Sequence, residues 1–149
     1  MIRNAIVEDP WGSPHHHALG PAARVWREWR HPHARSPWPV NYGCLVETDN
    51  AADGDPLDVM ILSTTPLRTD TCLAVRVIGL LPRPGDDHQL LAVAVDESKY
   101  GDARRLAEVS ADCLAAIERR RREWITIAAW GDVGDAEALV LEAGRTPDC

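Results

Sequence analysis

The sequence predicts an α+β domain in which a small barrel or curled sheet carries helices on one side. Its length of 149 residues suits one domain with a single core. Short apolar, strand-like segments occupy the chain up to Asp96, and helical periodicity is confined to the residues after it. Strands that come first and helices that come later are typical of the α+β class. We therefore expect a single domain over residues 1–149.

Prolines shape the N-terminal part, where six of them lie between Pro10 and Pro39. This punctuation favours short strands and loops over long helices. Beyond it, apolar runs predict strands at Leu57–Leu62, Thr71–Leu81 and Gln89–Val95. Residues 82–87 are rich in turn formers, so the last two strands are expected to form a hairpin.

The helical region begins with Ser110, a plausible N-cap for a helix over Ala111–Arg122. A strand is predicted at Trp124–Ala129. The last helix is expected near Asp135–Ala143, where Gly144 follows and ends it.

Composition excludes several classes of function. The chain has 16 Lys+Arg against 23 Asp+Glu and a net charge of −7, which disfavours a nucleic-acid binder. No apolar run approaches the roughly 20 residues that cross a bilayer, and the first residues lack a secretory signal. The 4 cysteines form no C-x-x-C pair, which is typical of reduced thiols. We expect a cytoplasmic protein with no nucleic-acid or membrane partner.

The segment Asp53–Asp58, which reads D-G-D-P-L-D, is the chemical focus of the chain. On a strand, Asp58 would point away from the face of Leu57 and Val59. A carboxylate in that position is costly to bury without a partner, and Mg²⁺ is a natural one because it binds few carboxylates and keeps waters for exchange. A solvated surface turn is the alternative, since Asp, Gly and Pro are all turn residues.

A calcium-binding EF-hand loop does not fit this segment. With Gly54 at its sixth position the loop would need an acid or amide at Ala51 and a glutamate at Met60, and neither is present. A second acidic pair, Asp86 and Asp87, lies in the predicted hairpin turn. If that hairpin shares a sheet with Leu57–Leu62, Asp87 approaches Asp58 and completes the cluster.

Several motifs together resemble the core of the family I soluble inorganic pyrophosphatases. They are P-V-N-Y-G at Pro39–Gly43, D-G-D-P-L-D-V at Asp53–Val59, V-R-V-I-G at Val75–Gly79, Asp87, and the first-strand motif V-E-D-P-W-G-S at Val7–Ser13. Their order and spacing match the family over nearly the whole chain. The resemblance implies an OB-like β-barrel flanked by C-terminal helices. It also implies Mg²⁺-dependent hydrolysis of pyrophosphate to two phosphates, with Mn²⁺ as a possible substitute for Mg²⁺.

The same resemblance implies the roles of individual residues. Those at the family's metal-binding positions are Asp53, Asp58, Asp87 and Glu8. Asp55 is at the position of the carboxylate that accepts a proton from the attacking water. Those at substrate-binding positions are Tyr42, Arg30, His16 and Arg121. Bacterial members commonly form homohexamers, so a homo-oligomer is expected.

Departures from the family pattern lie on the substrate side. His16 and Gln89 stand where the family has lysines, and Arg120-Arg121 replaces a Tyr-Lys pair. A further metal-binding aspartate has no counterpart among Leu81, Pro82 and Arg83. These changes predict weakened or redirected activity. Two alternatives stay open: an impaired pyrophosphatase-like protein that binds metal or phosphate in a regulatory role, and a hydrolase of another phosphoanhydride such as a nucleotide, with Trp38 as an aromatic wall.

Overall fold

The computed structural model describes residues 1–13, 39–51, 54–83, 85, 87–97, 99–122 and 129–144, together with the backbone of two short strands between residues 16 and 29. The elements are β1 (Ile2–Asp9), β2 (His16–Leu19), β3 (Trp26–Trp29), β4 (Asn41–Leu45), β5 (Asp58–Leu62), β6 (Cys72–Leu81), β7 (Gln89–Ala94), a short 3₁₀ helix (Leu106–Glu108), α1 (Ala111–Arg122) and α2 (Val133–Ala143).

Five of these strands close into a barrel in the order β1-β4-β5-β7-β6, and β1 completes it by pairing with β6. Strands β2 and β3 form a separate antiparallel pair. The predicted class, a small β-barrel with C-terminal helices, is confirmed. The strand predicted at Trp124–Ala129 falls almost wholly outside the described residues. No helix in the described ranges is long and apolar enough to span a membrane.

The predicted hairpin of β6 and β7 is confirmed as an antiparallel pair. Strand β7 also pairs with β5 in parallel, with Val59 opposite Leu90. In a parallel pair both strands start at the same sheet edge. Asp58, the first residue of β5, and Asp87, two residues before β7, therefore meet at one end of the barrel.

Residues of β5 are buried on both faces of the sheet. Val59 and Ile61 belong to the core inside the barrel, which Ala136 and Val140 of α2 help to fill. Met60 lies in a second apolar cluster outside the barrel, together with Ile117 of α1. Double burial explains why this strand reads as a continuous apolar run with only its first residue charged.

Helix boundaries follow from their caps. Helix α1 begins at Ala111 as predicted, and the Cys113 amide donates to the Ser110 hydroxyl at 3.2 Å. Helix α2 begins at Val133, two residues before the predicted start. Its N-cap is Asp132, whose carboxylate accepts from the Asp135 amide at 2.9 Å, and the Asp135 carboxylate accepts from the Asp132 amide at 3.2 Å. This reciprocal capping box places Asp135 within the first turn rather than at the helix start.

Two residues of the P-V-N-Y-G motif are structural. Gly43 lies opposite Val7, and a Cβ built on Gly43 would lie only 2.2 Å from the Ile6 carbonyl oxygen. The Asn41 amide group is fully hydrogen-bonded: Nδ2 donates to the Ile61 carbonyl at 3.1 Å and the Ser63 hydroxyl at 2.7 Å, and Oδ1 accepts from the amides of Trp11 and Leu67. The motif thus fixes how closely β1 and β4 approach, and Asn41 ties the segments after β1 and β5 to the start of β4.

Candidate active site

The loop between β4 and β5 is closed by backbone and side-chain hydrogen bonds. The Leu45 amide donates to the Leu57 carbonyl at 2.9 Å, and the Leu57 amide donates to the buried Thr48 hydroxyl at 3.0 Å. Further out, the Asn50 amide donates to the Asp55 carbonyl at 2.7 Å, and the Asn50 carbonyl accepts from Gly54, whose φ is +78°. Glycine adopts that φ without steric penalty. These bonds hold Asp55 beside the start of β5.

The carboxylate of Asp58 is the electrostatic centre of the site. It accepts a hydrogen bond from the Tyr42 hydroxyl. Its pKa is raised to about 6, chiefly because its carboxyl is desolvated. The Tyr42 hydrogen bond opposes this rise and the charge of Asp87 adds to it. The guanidinium groups of Arg121 and Arg83 favour the ionised form. Asp58, Asp87 and Tyr42 therefore converge, as the sequence predicted.

Tyr42 is buried between the barrel wall and α1. Its hydroxyl oxygen accepts from Gln89 Nε2 at 2.5 Å. Burial, followed by the charge of Asp58, raises the pKa of the phenol well above its usual value, so it remains protonated. The Arg121 guanidinium lies over the ring, 5.6 Å from its centroid, which is cation–π geometry. Tyr42 thus joins strand β4 to the basic end of α1.

Each carboxylate oxygen of Asp87 has a side-chain partner within the chain, one through a hydrogen bond and the other through an ion pair. Asn50 Nδ2 donates to Oδ1 at 3.0 Å, and the Arg83 guanidinium lies 3.1 Å from Oδ2. The two partners come from different loops, the first before β5 and the second between β6 and β7. Asp87 therefore links the two loops that meet at the shared edge of the parallel pair.

Glu8 is buried, and it lies at a register shift in the pairing of β1 with β4. Its charge raises the pKa of Tyr42 and of Cys44, so it lies within electrostatic reach of both. Cys44 is buried directly opposite Asp58 in the β4–β5 pair. Desolvation is the main cause of its raised pKa, and the carboxylates of Glu8, Asp58 and Asp55 add to it. Cys44 therefore lies within electrostatic reach of all three carboxylates.

The C-terminal end of α1 contributes two buried arginines, Arg120 and Arg121, whose exposed fractions are 6% and 7%. A run of four arginines on a helix is ordinarily a solvated face. Here Arg121 is turned inward over Tyr42, and desolvation lowers the pKa of its guanidinium. A desolvated guanidinium beside carboxylates is suited to binding an anion that arrives with its own cations.

The structure brings most of the predicted site residues together. Tyr42 contacts both Asp58 and Arg121, Asp87 acts electrostatically on Asp58, and the charges of Glu8 and Asp55 reach the neighbouring Cys44. Asp53 and Arg30 lie outside the described residues, as does Asp86. For His16 the structure gives the backbone only, in β2 opposite Trp29.

Three residues at the site were not singled out from the sequence: Asn50, Arg83 and Cys44. The i,i+4 spacing of Arg83 and Asp87 could have indicated an ion pair. The alternation of β4 places Cys44 on the face of Tyr42, but no strand was predicted at these residues, so there was no reason to select Cys44 from the sequence. Asn50 gave no local signal, because its contact with Asp87 spans 37 positions.

The carboxylates suit a divalent cation in their chemistry. Over the described ranges, no three side chains of His, Cys, Asp or Glu are grouped closely enough to enclose a metal ion by themselves. Mg²⁺ does not require such a cage, since it is commonly held by one or two carboxylates plus water and phosphate oxygens. Asp58, desolvated and close enough to Asp87 to feel its charge, provides such a pair. The donor set fits a hard cation.

Comparison with known proteins gives a consistent result. A sequence profile described as Inorganic pyrophosphatase matches residues 5–145. The chain is 27% identical to the inorganic pyrophosphatase of Saccharolobus solfataricus, over 94% of this chain and 88% of that protein. It is 29% identical to the inorganic pyrophosphatase of Haemophilus influenzae, over 95% of this chain and 87% of that protein. The crystal structure of inorganic pyrophosphatase from Ehrlichia chaffeensis superposes with a TM-score of 0.86 at 26% identity, covering 95% of this chain and 92% of that one.

Proposed function

The chain belongs to the inorganic pyrophosphatase family, and on this basis we propose that it hydrolyses inorganic pyrophosphate to two phosphates in a reaction that depends on Mg²⁺. The observation that carries the proposal is the convergence of Asp58 and Asp87 beside Tyr42 and Arg121. This arrangement sets acidic groups that suit cations next to basic groups that suit phosphate oxygens.

The residues that would hold Mg²⁺ or Mn²⁺ are Asp58, Asp87, Asp53 and Glu8. Divalent cations, when bound there, reverse the negative charge of the site toward a polyanionic substrate and lower the pKa of a coordinated water. The protein's own contribution is to present ionised carboxylates. The Tyr42 hydroxyl and the nearby guanidinium groups do this for Asp58, since each favours its ionised form.

Asp55 is proposed as the general base. Its backbone is held by the Asn50 hydrogen bond, and its charge acts on the Cys44 thiol opposite Asp58, so it lies within electrostatic reach of the site. The side chain is only partly buried, which leaves it accessible to water. A carboxylate so placed orients the attacking water and accepts its proton.

Arg121 and Tyr42 are proposed to bind the phosphate groups, with Arg30 and His16 contributing from the segment between β1 and β4. Arg121 supplies a permanent positive charge that is little hydrated because it is buried. A guanidinium in such surroundings stabilises the charge that develops on the transferring and leaving phosphates more strongly than it would in water.

Turnover is proposed to be weaker than in relatives that carry a lysine in place of Gln89. The Gln89 amide is neutral, and its Nε2 donates to Tyr42. The same observation favours a second candidate function, in which the site binds metal and phosphate without turnover and serves regulation.

Phosphate release from pyrophosphate, measured with Mg²⁺ and with Mn²⁺, tests the proposal. The wild type should release phosphate, and Asp55→Asn should reduce kcat by about 10²- to 10⁴-fold because the base is lost. Asp102→Asn, a change of the same kind at an exposed loop residue, is the matched control and should leave kcat unchanged. Metal binding without phosphate release in the wild type would favour the regulatory function. Release from nucleotides but not from pyrophosphate would identify another phosphoanhydride as the substrate.

We also propose that the chain acts as a single domain, within a homo-oligomer such as a hexamer, in the cytoplasm. The closed barrel and the packing of α2 into its interior support the single domain. Light scattering coupled to size-exclusion chromatography gives the mass of the particle, and a monomer at working concentration would contradict the oligomer.

A further inference from the structure

The ion pair between Arg83 and Asp87 places a positive charge of the chain itself on a proposed metal ligand. Arg83 Nη1 lies 3.1 Å from Asp87 Oδ2, while Asn50 Nδ2 occupies Oδ1 at 3.0 Å. Each oxygen of the carboxylate therefore already has a donor from the protein. The negative charge of this carboxylate is thus balanced by a cation of the chain itself, and no ion from solution is needed to balance it.

Arg83 is held in this position from both ends. Its backbone amide donates to His88 Nδ1 at 3.0 Å, which fixes the turn between β6 and β7. Its side chain is 23% exposed, and its buried Nε has no hydrogen-bond partner among the described residues. The guanidinium is thus largely withdrawn from water, and the ion pair with Asp87 is its principal compensation.

The charge of Arg83 also acts beyond Asp87. It lowers the pKa of Asp58 and, together with burial, that of Arg121. Arg83 therefore lies within electrostatic reach of both the acidic and the basic part of the site, at a point where a cation would influence both.

We propose that Arg83 is a built-in cation of this site, which neutralises Asp87 in place of a divalent ion and thereby lowers the affinity of the site for divalent ions. A divalent ion that binds Asp87 must displace the guanidinium or share the carboxylate with it, and it is repelled by a positive charge a few ångströms away. Where Arg83 holds Asp87, the carboxylate is already neutralised and offers a divalent ion less electrostatic attraction. The inference rests on the proposed function, because it assumes that Asp87 is a metal ligand.

Mn²⁺ binding to the metal-free protein tests this without any measurement of turnover. Free Mn²⁺ is followed by its electron paramagnetic resonance signal in titrations of the wild type, Arg83→Gln and Arg83→Lys. Arg83→Gln should bind Mn²⁺ about 10-fold more tightly, the effect of removing one unit charge close to a partly screened site. Arg83→Lys retains the charge and should stay within about 3-fold of the wild type. Arg104→Gln removes an exposed arginine outside the site and should leave the affinity unchanged.

Unchanged or weaker Mn²⁺ binding by Arg83→Gln would overturn the inference. If that variant fails to fold by circular dichroism, Arg83→Lys decides, since a 10-fold tightening with the charge retained would equally contradict it. If the wild type hydrolyses pyrophosphate and Arg83→Gln binds Mn²⁺ with wild-type affinity, the inference about Arg83 is wrong and the proposed activity stands. If Arg83→Gln binds Mn²⁺ more tightly than the wild type but the wild type hydrolyses nothing, the proposed activity is wrong and the inference about Arg83 stands. Absence of Mn²⁺ binding in every variant refutes both.

Discussion

Gln89 donates its side-chain amide to the Tyr42 hydroxyl at 2.5 Å, and this contact determines where the phenol proton points. An amide nitrogen only donates, so Tyr42 accepts from Gln89 and directs its own proton to the carboxylate of Asp58. The fully buried Oε1 of Gln89 has no hydrogen-bond partner in the described part of the chain. Tyr42 is therefore the contact that orients the amide, and the relay from Gln89 through Tyr42 stabilises ionised Asp58.

Gln89→Lys should raise kcat/KM for pyrophosphate by about 10-fold, because an ammonium at this position adds positive charge where phosphate is bound. The longer side chain still donates to Tyr42, so the relay to Asp58 is preserved. Steady-state kinetics with Mg²⁺ measure the change.

Gln89→Met is the matched control for that substitution. It keeps the length of the side chain but leaves Tyr42 without a donor, and it should lower the free energy of unfolding by roughly 1–3 kcal/mol. Equal kcat/KM values for the Lys and Met variants would show that charge at residue 89 is irrelevant to the reaction.

Asp58→Asn should stabilise the metal-free protein near neutral pH. The folded-state pKa of about 6 exceeds the ordinary value of 3.8, so the folded protein binds this proton more tightly than the unfolded chain. Wild-type stability therefore falls as the pH rises from about 4 to about 6 and is level above that. At about pH 7 the variant should be more stable by roughly 1–3 kcal/mol, and near pH 4 the two should be equal.

Urea denaturation across this pH range, with chelator present, measures the difference. Added Mg²⁺ should stabilise the wild type more than Asp58→Asn, since the ion favours the ionised carboxylate. A constant difference between the two proteins from pH 4 to pH 7 would contradict the raised pKa.

Gly43→Ala should destabilise the barrel by about 3 kcal/mol or more, because the new methyl group meets the Ile6 carbonyl oxygen at 2.2 Å and overpacking on backbone is not relieved by a rotamer change. Thermal unfolding followed by circular dichroism measures this loss. Gly144→Ala is the control: its φ of −59° suits alanine and its nearest contacts are at 3.5 Å, so stability should change little. Similar midpoints for both variants would mean that β1 and β4 can separate without loss.

Asn41→Ala should lower the free energy of unfolding by about 2–4 kcal/mol, since four hydrogen bonds are lost, two of them buried, and the partly buried Trp11 and Leu67 amides lose their acceptor. KM for pyrophosphate should be unchanged in the folded fraction, because the hydrogen-bond partners of Asn41 are backbone groups and the Ser63 hydroxyl, none of them a proposed site residue. Asn4→Ala, at an exposed position of β1, serves as the comparison. A raised KM with normal stability would assign Asn41 to substrate binding.

The sequence predicts those parts of the fold that depend on interactions between residues close together in the chain. Helix α1 has its predicted bounds because Ser110 caps it, and the hairpin of β6 and β7 follows from a turn rich in Pro, Gly and Asp. Closure of the barrel by β1 and β6 was not specified by any local pattern, since it joins residues such as Arg3 and Val75 that are distant in sequence.

The same distinction applies to the candidate site, where some residues could be predicted from the sequence and others could not. Asp58 and Asp87 could be related on the condition that their strands share a sheet, and the parallel pairing of β5 with β7 meets that condition. The burial of Arg121 could not be foreseen, because a run of arginines reads as a solvated face until Tyr42 is placed beneath it. Arg83 and Asn50 act through contacts that only the folded loops create.

Because β5 pairs in parallel with β7, the site can assemble only late in synthesis of the chain. Asp58 leaves the ribosome well before Gln89 does. Strand β6 lies between them in the chain, so the starts of β5 and β7 can lie side by side only after β6 has been synthesised. Arg121 emerges later still. A nascent chain that ends before α1 thus lacks Arg121, and Arg83 is then the cation of the chain that balances Asp87.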